Sequence, residues 1–172
     1  MTLEIIEKEG YHAVTIRKIA NAIEYSVPTI YEHFENKDVL LYELKKEWLR
    51  KMLDLIQKIH AAEKEPGVAL EKIALAYAKN ALENGQLYKA VMEIEDKDRG
   101  FVEIHTLRTI LKEWIQGATK GDRDLDNKVD LLRGYLHGVV SLALTKKLQG
   151  GEERCMQLVK EGLHALAKAW KQ

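Results

Sequence analysis

The stretch TIRKIANAIEYSVPTIYEHF, residues 15–34, consists of two short helical patterns joined by a tight turn. Thr15 can cap the first helix and Ser26 the second, because a side-chain hydroxyl accepts hydrogen bonds from first-turn amides. Pro28 fits the first turn of the second helix, where a missing N–H costs nothing. Two short helices joined so closely predict a helix-turn-helix unit.

The composition of the whole chain indicates an all-helical protein. Its 172 residues include only two prolines and are rich in Leu, Ala, Lys and Glu. No apolar run reaches the roughly 18–20 residues that span a membrane, and no signal peptide opens the chain. Cys155, the single cysteine, excludes an internal disulfide framework and suits a reducing cytosol, so we expect a cytoplasmic protein.

Helical patterns continue on both sides of the quoted stretch. A first helix ends at Gly10, and Asn36 begins the longest pattern, which ends near Pro66. We therefore expect a three-helix helix-turn-helix domain over residues 1–46, with a linking helix from about residue 36. A helical bundle is expected over residues 47–172. Its predicted helices cover residues 68–82, 87–94, 101–118, 125–148 and 152–170.

The last two predicted helices are more apolar than an ordinary surface helix. From Leu131 to Leu144, apolar side chains fall on nearly every face, and such a helix is buried on more than one side. This pattern predicts a four-helix interface between two copies of the chain, with an ordinary monomeric core as the alternative. The expected interface residues are Leu132, Tyr135, Leu136, Val139, Val140, Val159, Gly162, Leu163, Leu166 and Trp170.

A set of residue types at separated positions marks the first fifty residues: Gly10-Tyr11, Thr15-Ile16-Arg17, Ile19-Ala20, Ser26–Phe34 and Lys37. With these positions the segment resembles the DNA-binding domain of TetR-family transcriptional regulators. Glu24 departs from this resemblance, because the family usually has glycine in the turn; a non-glycine residue there needs a less favourable backbone conformation or another turn.

A shorter segment, Tyr135–Gly138 followed by Leu142, is similar to a Trp-x-x-His-Gly-x-x-x-Leu-like signature of some regulatory domains. Tyr135 replaces the Trp and stands one residue closer to the His.

The resemblance implies an all-helical homodimer that binds operator DNA. A small, largely apolar effector in the second domain is implied to release the protein from DNA or, in some members, to recruit it. We expect a repressor, with a transcriptional activator of the same family as the alternative. We expect neither enzymatic activity nor a cofactor.

The N-terminal end of the third helix is the part that reaches base edges in a helix-turn-helix. Val27 and Pro28 offer no bidentate hydrogen bonds, so contacts with thymine methyl groups are expected there. Glu32 either accepts a hydrogen bond from cytosine N4 or points away from DNA. The expected DNA-binding residues are Thr15, Arg17, Ser26, Val27, Pro28, Thr29, Tyr31, His33 and Lys37.

The predicted DNA-binding domain has no excess of basic residues. The chain carries 27 basic and 27 acidic residues, and its first fifty residues hold seven basic against nine acidic side chains. Because neutralised phosphates supply most of the affinity for DNA, a reader of DNA usually presents a basic face. Here such a face must come from placement rather than from an excess of charge.

A small-molecule site requires an apolar pocket with a few convergent polar groups. Arg108 lies on the otherwise apolar stripe that Phe101 begins, and His137 belongs either to the pocket or to the dimer interface. The candidate effector-binding residues are Tyr77, Asn80, Met92, His105, Arg108 and Trp114.

A helical di-metal enzyme is the rival class. Glu9-x-x-His12 and Glu161-x-x-His164 match the Glu-x-x-His spacing of such sites. Gly10 breaks the first match, and Glu161 is expected to face solvent. We therefore expect no metal site.

Overall fold

The structure is a computed structural model that describes residues 2–94, 102–119 and 123–171. Within these ranges every regular element is helical, as predicted. Phe101, which was expected to begin an apolar stripe, lies outside the described residues. The elements are α1 (Thr2–Glu9), the short 3-10 helix η1 (Tyr11–Ala13), α2 (Ile16–Ala22), α3 (Val27–His33), α4 (Lys37–Ala62), α5 (Pro66–Glu83), α6 (Gly85–Glu93), α7 (Val102–Thr119), α8 (Leu125–Leu144) and α9 (Gly151–Ala169).

The chain forms two compact units, and helix α4 contributes residues to both. The first unit contains the described residues 2–50 and 84–94. Its core combines α1–α4 with residues from the middle of the chain, because α6 packs against α1 and η1. The buried core residues are Ile5, Ile6, Val14, Ile16, Ile19, Ala20, Ile30, Leu40, Leu41, Ala90 and Ile94.

The predicted boundary after residue 46 was wrong about this middle segment. Ala90 and Ile94 belong to the core of the N-terminal unit, whereas the prediction assigned both to the second domain. A buried hydrogen bond supports their position: Lys45 Nζ donates to the Ile94 carbonyl oxygen over 2.7 Å. An amphipathic stripe reveals that a helix is buried on one side but does not identify its partner, so the sequence did not assign α6 to a unit.

The second unit contains residues 51–83, 102–119 and 123–171 of the described chain. Helix α5 is central to it and packs against α7, α8 and α9. Many of its buried residues are alanines, which allow neighbouring helices to approach closely. The buried face of α5 consists of Ala69, Leu70, Ile73, Ala74, Ala78 and Ala81.

Helices α8 and α9 form the predicted hairpin, although α8 ends four residues before the expected Leu148. Lys146 adopts a left-handed conformation with φ of 58°, and the Lys147 N–H bonds back to the Leu142 carbonyl oxygen over 2.9 Å. This arrangement closes the end of the helix, because the return bond satisfies a carbonyl that has no partner within the helix.

A close approach between the two helices of the hairpin depends on a glycine. The hydroxyl of Tyr135 donates to the Leu158 carbonyl oxygen over 2.7 Å. A Cβ atom at position 162 would overlap this hydroxyl, so any other residue there would require the Tyr135 ring to move and break this bond. Burial raises the pKa of the Tyr135 hydroxyl, which therefore remains a neutral donor.

The structure corrects much of the predicted dimer interface. A side chain that is buried within its own chain has no surface to offer a second copy, and six of the ten expected residues are of this kind. Tyr135, Gly162, Leu166 and Trp170 are only partly buried. The six residues in the chain's own core are Leu132, Leu136, Val139, Val140, Val159 and Leu163.

A carboxylate organises the corner between α4 and α5. Glu63 Oε1 accepts hydrogen bonds from the backbone amides of Lys64 and Glu65, at 3.0 and 3.2 Å. Its other oxygen accepts a bond from Lys72 Nζ over 2.7 Å. These bonds, with Lys72 as the largest cause, lower the pKa of Glu63 to about 2.

We predict that Glu63→Gln lowers the free energy of unfolding at pH 7. The folded pKa of Glu63 lies below its unfolded value, so the ionised group stabilises the fold above about pH 4.5. That contribution disappears as the pH falls toward 2. Urea denaturation at pH 7, 4 and 2.5 should show a difference between wild type and variant that shrinks with acidification.

The control is Glu83→Gln at the other end of α5, where Glu83 only pairs with Lys79 at 3.8 Å. This exposed pair is expected to contribute little, so the control variant should match wild type at every pH. A constant deficit of Glu63→Gln from pH 7 to pH 2.5 would contradict the prediction.

Candidate DNA-binding interface and effector site

Both helices of the helix-turn-helix begin at the predicted caps. Thr15 Oγ1 accepts a hydrogen bond from the Lys18 amide over 3.2 Å. Ser26 Oγ accepts one from the Thr29 amide over 3.2 Å and also bonds the Thr29 hydroxyl over 2.8 Å. These bonds satisfy amides that have no partner within their helices and fix where α2 and α3 start.

The two faces of α3 differ sharply in exposure. Ile30 is buried, and Val27 and Phe34 pack partly buried against the same core. Pro28 and Tyr31 are exposed, the latter by 52%. Thr29 is partly buried, whereas Glu32 and His33 are exposed. The helix therefore has one face fixed by the core and another free to meet a partner.

The turn before α3 contains the predicted irregularity. Glu24 adopts a left-handed conformation with φ of 59°. The next amide, that of Tyr25, bonds back to the Ala20 carbonyl oxygen over 2.9 Å. The turn keeps its shape without glycine, at a cost of about 1 kcal/mol for an L-residue in this region.

Cations around the exposed face of α3 differ in availability. Lys18 is paired with Glu9 over 2.6 Å, whereas Arg17 is exposed at the beginning of α2. Lys37 Nζ stands 5.3 Å from the centre of the Tyr11 ring, within cation–π range. Lys37 is also the first residue of α4, whose N-terminal amides favour phosphate.

The expected DNA-binding residues are therefore accessible in different degrees. Thr15, Arg17 and Ser26 are exposed, like the outer residues of α3, whereas Lys37 is partly buried. Val27 is less available than expected, because it packs partly against the core. Tyr25 did not emerge from the sequence, although its side chain is 59% exposed at the turn. Its position directly before the Ser26 cap could have identified this aromatic residue as a candidate from the sequence.

The candidate effector residues are distributed over several helices. Tyr77 and Asn80 are partly buried on α5, while Trp114 is buried on α7. His105 is exposed on α7, and Met92 is 41% exposed on α6 in the N-terminal unit. Three of the candidates lie on α7: His105, Arg108 and Trp114. Among them, Trp114 is the one that is buried and whose polar atom, Nε1, has no hydrogen-bond partner among the described residues.

Arg108 is not a free polar group for a ligand. Its guanidinium bonds the carboxylates of Asp130 and Asp126, the latter over 2.8 Å, and Lys112 also bonds Asp126. These bonds raise the pKa of Arg108, and they lower the pKa values of both aspartates. The assignment of Arg108 to an effector pocket is corrected: its charge connects α7 to α8.

The residues of the rival metal-site hypothesis have other partners. Glu9 pairs with Lys18, and His12 Nε2 lies 3.3 Å from Glu93. His164 Nε2 is 2.8 Å from a carboxylate oxygen of Glu71 on α5. Across the described ranges, no three His, Cys, Asp or Glu side chains are placed to hold a metal ion. A search of the same ranges finds no helix with the length and apolarity to cross a membrane.

Comparison with known proteins agrees with this geometry. Residues 1–44 match the family described as "Bacterial regulatory proteins, tetR family". Over 163 residues the chain is 29% identical to the fatty acid metabolism regulator protein of Bacillus subtilis (strain 168), covering 94% of this chain and 68% of that protein. The chain is thus similar to bacterial regulatory proteins of the tetR family over its first 44 residues, and to one such regulator of metabolism over most of its length.

Solved structures share the fold along most of the chain. The fatty acid degradation regulator FadR from Bacillus halodurans has a TM-score of 0.69 at 22% identity, covering 96% of this chain and 90% of that chain. PfmR from Thermus thermophilus, a TetR family transcriptional regulator, has a TM-score of 0.70 at 18% identity, with 96% of this chain and 94% of that chain covered.

We predict that Glu24→Gly raises the free energy of unfolding by about 0.5–1 kcal/mol, because glycine adopts positive φ without strain. Denaturant midpoints of wild type and variant measure the change. Glu24→Ala is the matched control, since it removes the carboxylate but keeps a Cβ. Equal stabilisation by both variants would show that the charge, and not the backbone, is responsible.

Proposed function

We propose that the protein is a homodimeric repressor that inserts α3 of each copy into the major groove of operator DNA. The observation that carries this proposal is the exposed face of α3, which begins at a capped N-terminus and presents Pro28, Tyr31 and His33. Arg17 and Lys37 flank this helix in sequence and supply charge for phosphates. The exposed Pro28 provides apolar contact with thymine methyl groups, together with the part of Val27 that the core leaves accessible.

We predict distinct DNA-binding defects for Lys37→Ala and Tyr31→Phe. Lys37→Ala is expected to remove one phosphate contact. The slope of log affinity against log salt concentration should therefore become less steep by about one. Tyr31→Phe removes one hydrogen bond, so affinity falls about three- to tenfold with an unchanged slope. Fluorescence anisotropy is measured on a duplex that the wild-type protein selects from a random-sequence library.

Lys64→Ala is the control, because Lys64 is an exposed lysine of the second unit. It should leave both affinity and salt slope unchanged. Failure of the wild-type protein to enrich any duplex would contradict the proposed function. Equal slopes for Lys37→Ala and wild type would remove only Lys37 from the interface.

The proposed dimer surface is the exposed side of α8. Leu131 and Leu142 are 52% and 45% exposed on this helix. Gly134 and Gly138 lie between them, and a Cβ at either position would meet nothing within 4 Å. Residues 131, 134, 138 and 142 recur at helical spacing, so they form one stripe of large apolar side chains and open glycines. A second copy of the chain is its proposed occupant, with partly exposed Leu166 and Trp170 of α9 alongside.

We predict that Leu131→Asp combined with Leu142→Asp converts the dimer into monomers, because the two carboxylates would lose their hydration in the interface. Sedimentation velocity measures the state of association. Val102→Asp is the matched control, since Val102 is 76% exposed on α7, outside the stripe. A double variant that remains dimeric would exclude this surface.

The effector is proposed to be derived from a fatty acid. Support comes from the names of relatives that regulate fatty acid metabolism or degradation. An effector that binds one conformation of the dimer more tightly shifts the population toward it, and DNA weakens effector binding by the same factor. Effector binding in the second unit thereby releases the repressor from its operator.

A further inference from the structure

Two neighbouring polar atoms of the second unit are buried without a hydrogen-bond partner among the described residues. They are Nε1 of Trp114 on α7 and Nδ1 of His60 on α4. The two rings stand edge to face, with centroids 5.1 Å apart. Because a buried polar group normally has a partner, two adjacent exceptions require a physical explanation.

Apolar residues precede each member of this pair on its own helix. Met52, Ile56 and His60 recur at intervals of four along α4, and the first two are buried. On α7, Ile110 and Trp114 are likewise four apart and buried. The nitrogens of Trp114 and His60 are thus polar groups on otherwise apolar stretches of α7 and α4. A small-molecule site has this composition, because a few polar groups fix the orientation of an apolar ligand.

The chemistry of the two rings restricts what they can bind. An indole N–H only donates hydrogen bonds. Nδ1 of His60 donates in the neutral tautomer that carries its proton there and in the doubly protonated ring. The other nitrogen of His60 faces elsewhere, since Nε2 lies 3.9 Å from Glu113 Oε2. Trp114 Nε1 always donates, and His60 Nδ1 donates as well whenever the ring carries a proton there, so these two contacting rings suit one acceptor oxygen of an apolar ligand.

We propose that Trp114 Nε1 and His60 Nδ1 hold the acyl oxygen of the effector. The ligand class is a long-chain acyl compound, either the free acid or its thioester, because both combine an acceptor oxygen with a hydrocarbon chain. This assignment rests on the proposed response to a fatty-acid-derived effector. It adds the two side chains that would bind the acyl oxygen of that effector. Trp114 was among the effector residues expected from sequence, whereas His60 was not.

Three probes separate the acyl oxygen from the rest of the ligand. Hexadecanoate and hexadecanoyl-coenzyme A both carry it, whereas S-hexadecyl-coenzyme A retains the chain and the carrier but has no carbonyl. Isothermal titration calorimetry measures each affinity for the full-length protein. We expect at least one acyl probe to bind wild type about tenfold more tightly than the thioether. Comparison of the two acyl probes then shows whether the ligand is the free acid or the thioester.

His60→Phe and Trp114→Phe each remove one donor and keep an aromatic ring. Either variant should lower affinity for the preferred acyl probe roughly three- to tenfold and leave thioether affinity unchanged. Unchanged thioether binding also shows that the variant is folded. Trp48→Phe is the matched control, because its buried indole Nε1 likewise has no partner in the described part of the chain, but its ring neighbour is Tyr88.

Three results would overturn the proposal: a thioether that binds wild type as tightly as the acyl probes, a Trp48→Phe variant that loses as much preference as Trp114→Phe, or no binding of any probe. Selection of DNA by the wild-type protein tests the proposed function separately. A protein that selects a duplex but shows no preference for an acyl oxygen therefore refutes only this inference.

Discussion

The N-terminal unit depends on the burial of α6 against α1 and η1. Ala90 and Ile94 occupy the same core as Ile6 and Ile30, and Lys45 bonds the Ile94 carbonyl oxygen. Helix α3 has seven residues, too few for stability on its own, so tertiary packing must hold it. The surface that is proposed to read DNA is consequently fixed in part by residues from the middle of the chain.

The proposed function uses two different kinds of exposed surface, one on α3 and one on α8. In α3, capping bonds and a buried Ile30 leave the opposite face exposed. In the second unit, most bulky apolar residues are buried where α5, α7, α8 and α9 pack against one another. What remains exposed on α8 is a narrow stripe with glycines at its centre, which allows close approach of a second helix.

Local features of the fold could be predicted from the sequence, whereas features that depend on distant partners could not. Thr15, Ser26 and Glu24 follow rules that involve only neighbouring backbone, and the structure confirms all three. Arg108 looked like a ligand group because its own helix offers it no carboxylate at that face; its partners are on α8. The sequence predicted burial of α8 on several sides; the structure buries one face against α5, α7 and α9 and leaves Leu131 and Leu142 exposed, because an apolar pattern cannot distinguish the protomer core from a second copy.

The glycine at position 162 has a consequence for the substitutions that the hairpin can accept. The Tyr135 hydroxyl fills the space that a side chain at position 162 would occupy, so the two positions cannot vary independently. A side chain at position 162 would require a smaller residue at position 135 or a displaced ring there. A substitution at one of the two positions is therefore expected to be tolerated only together with a change at the other.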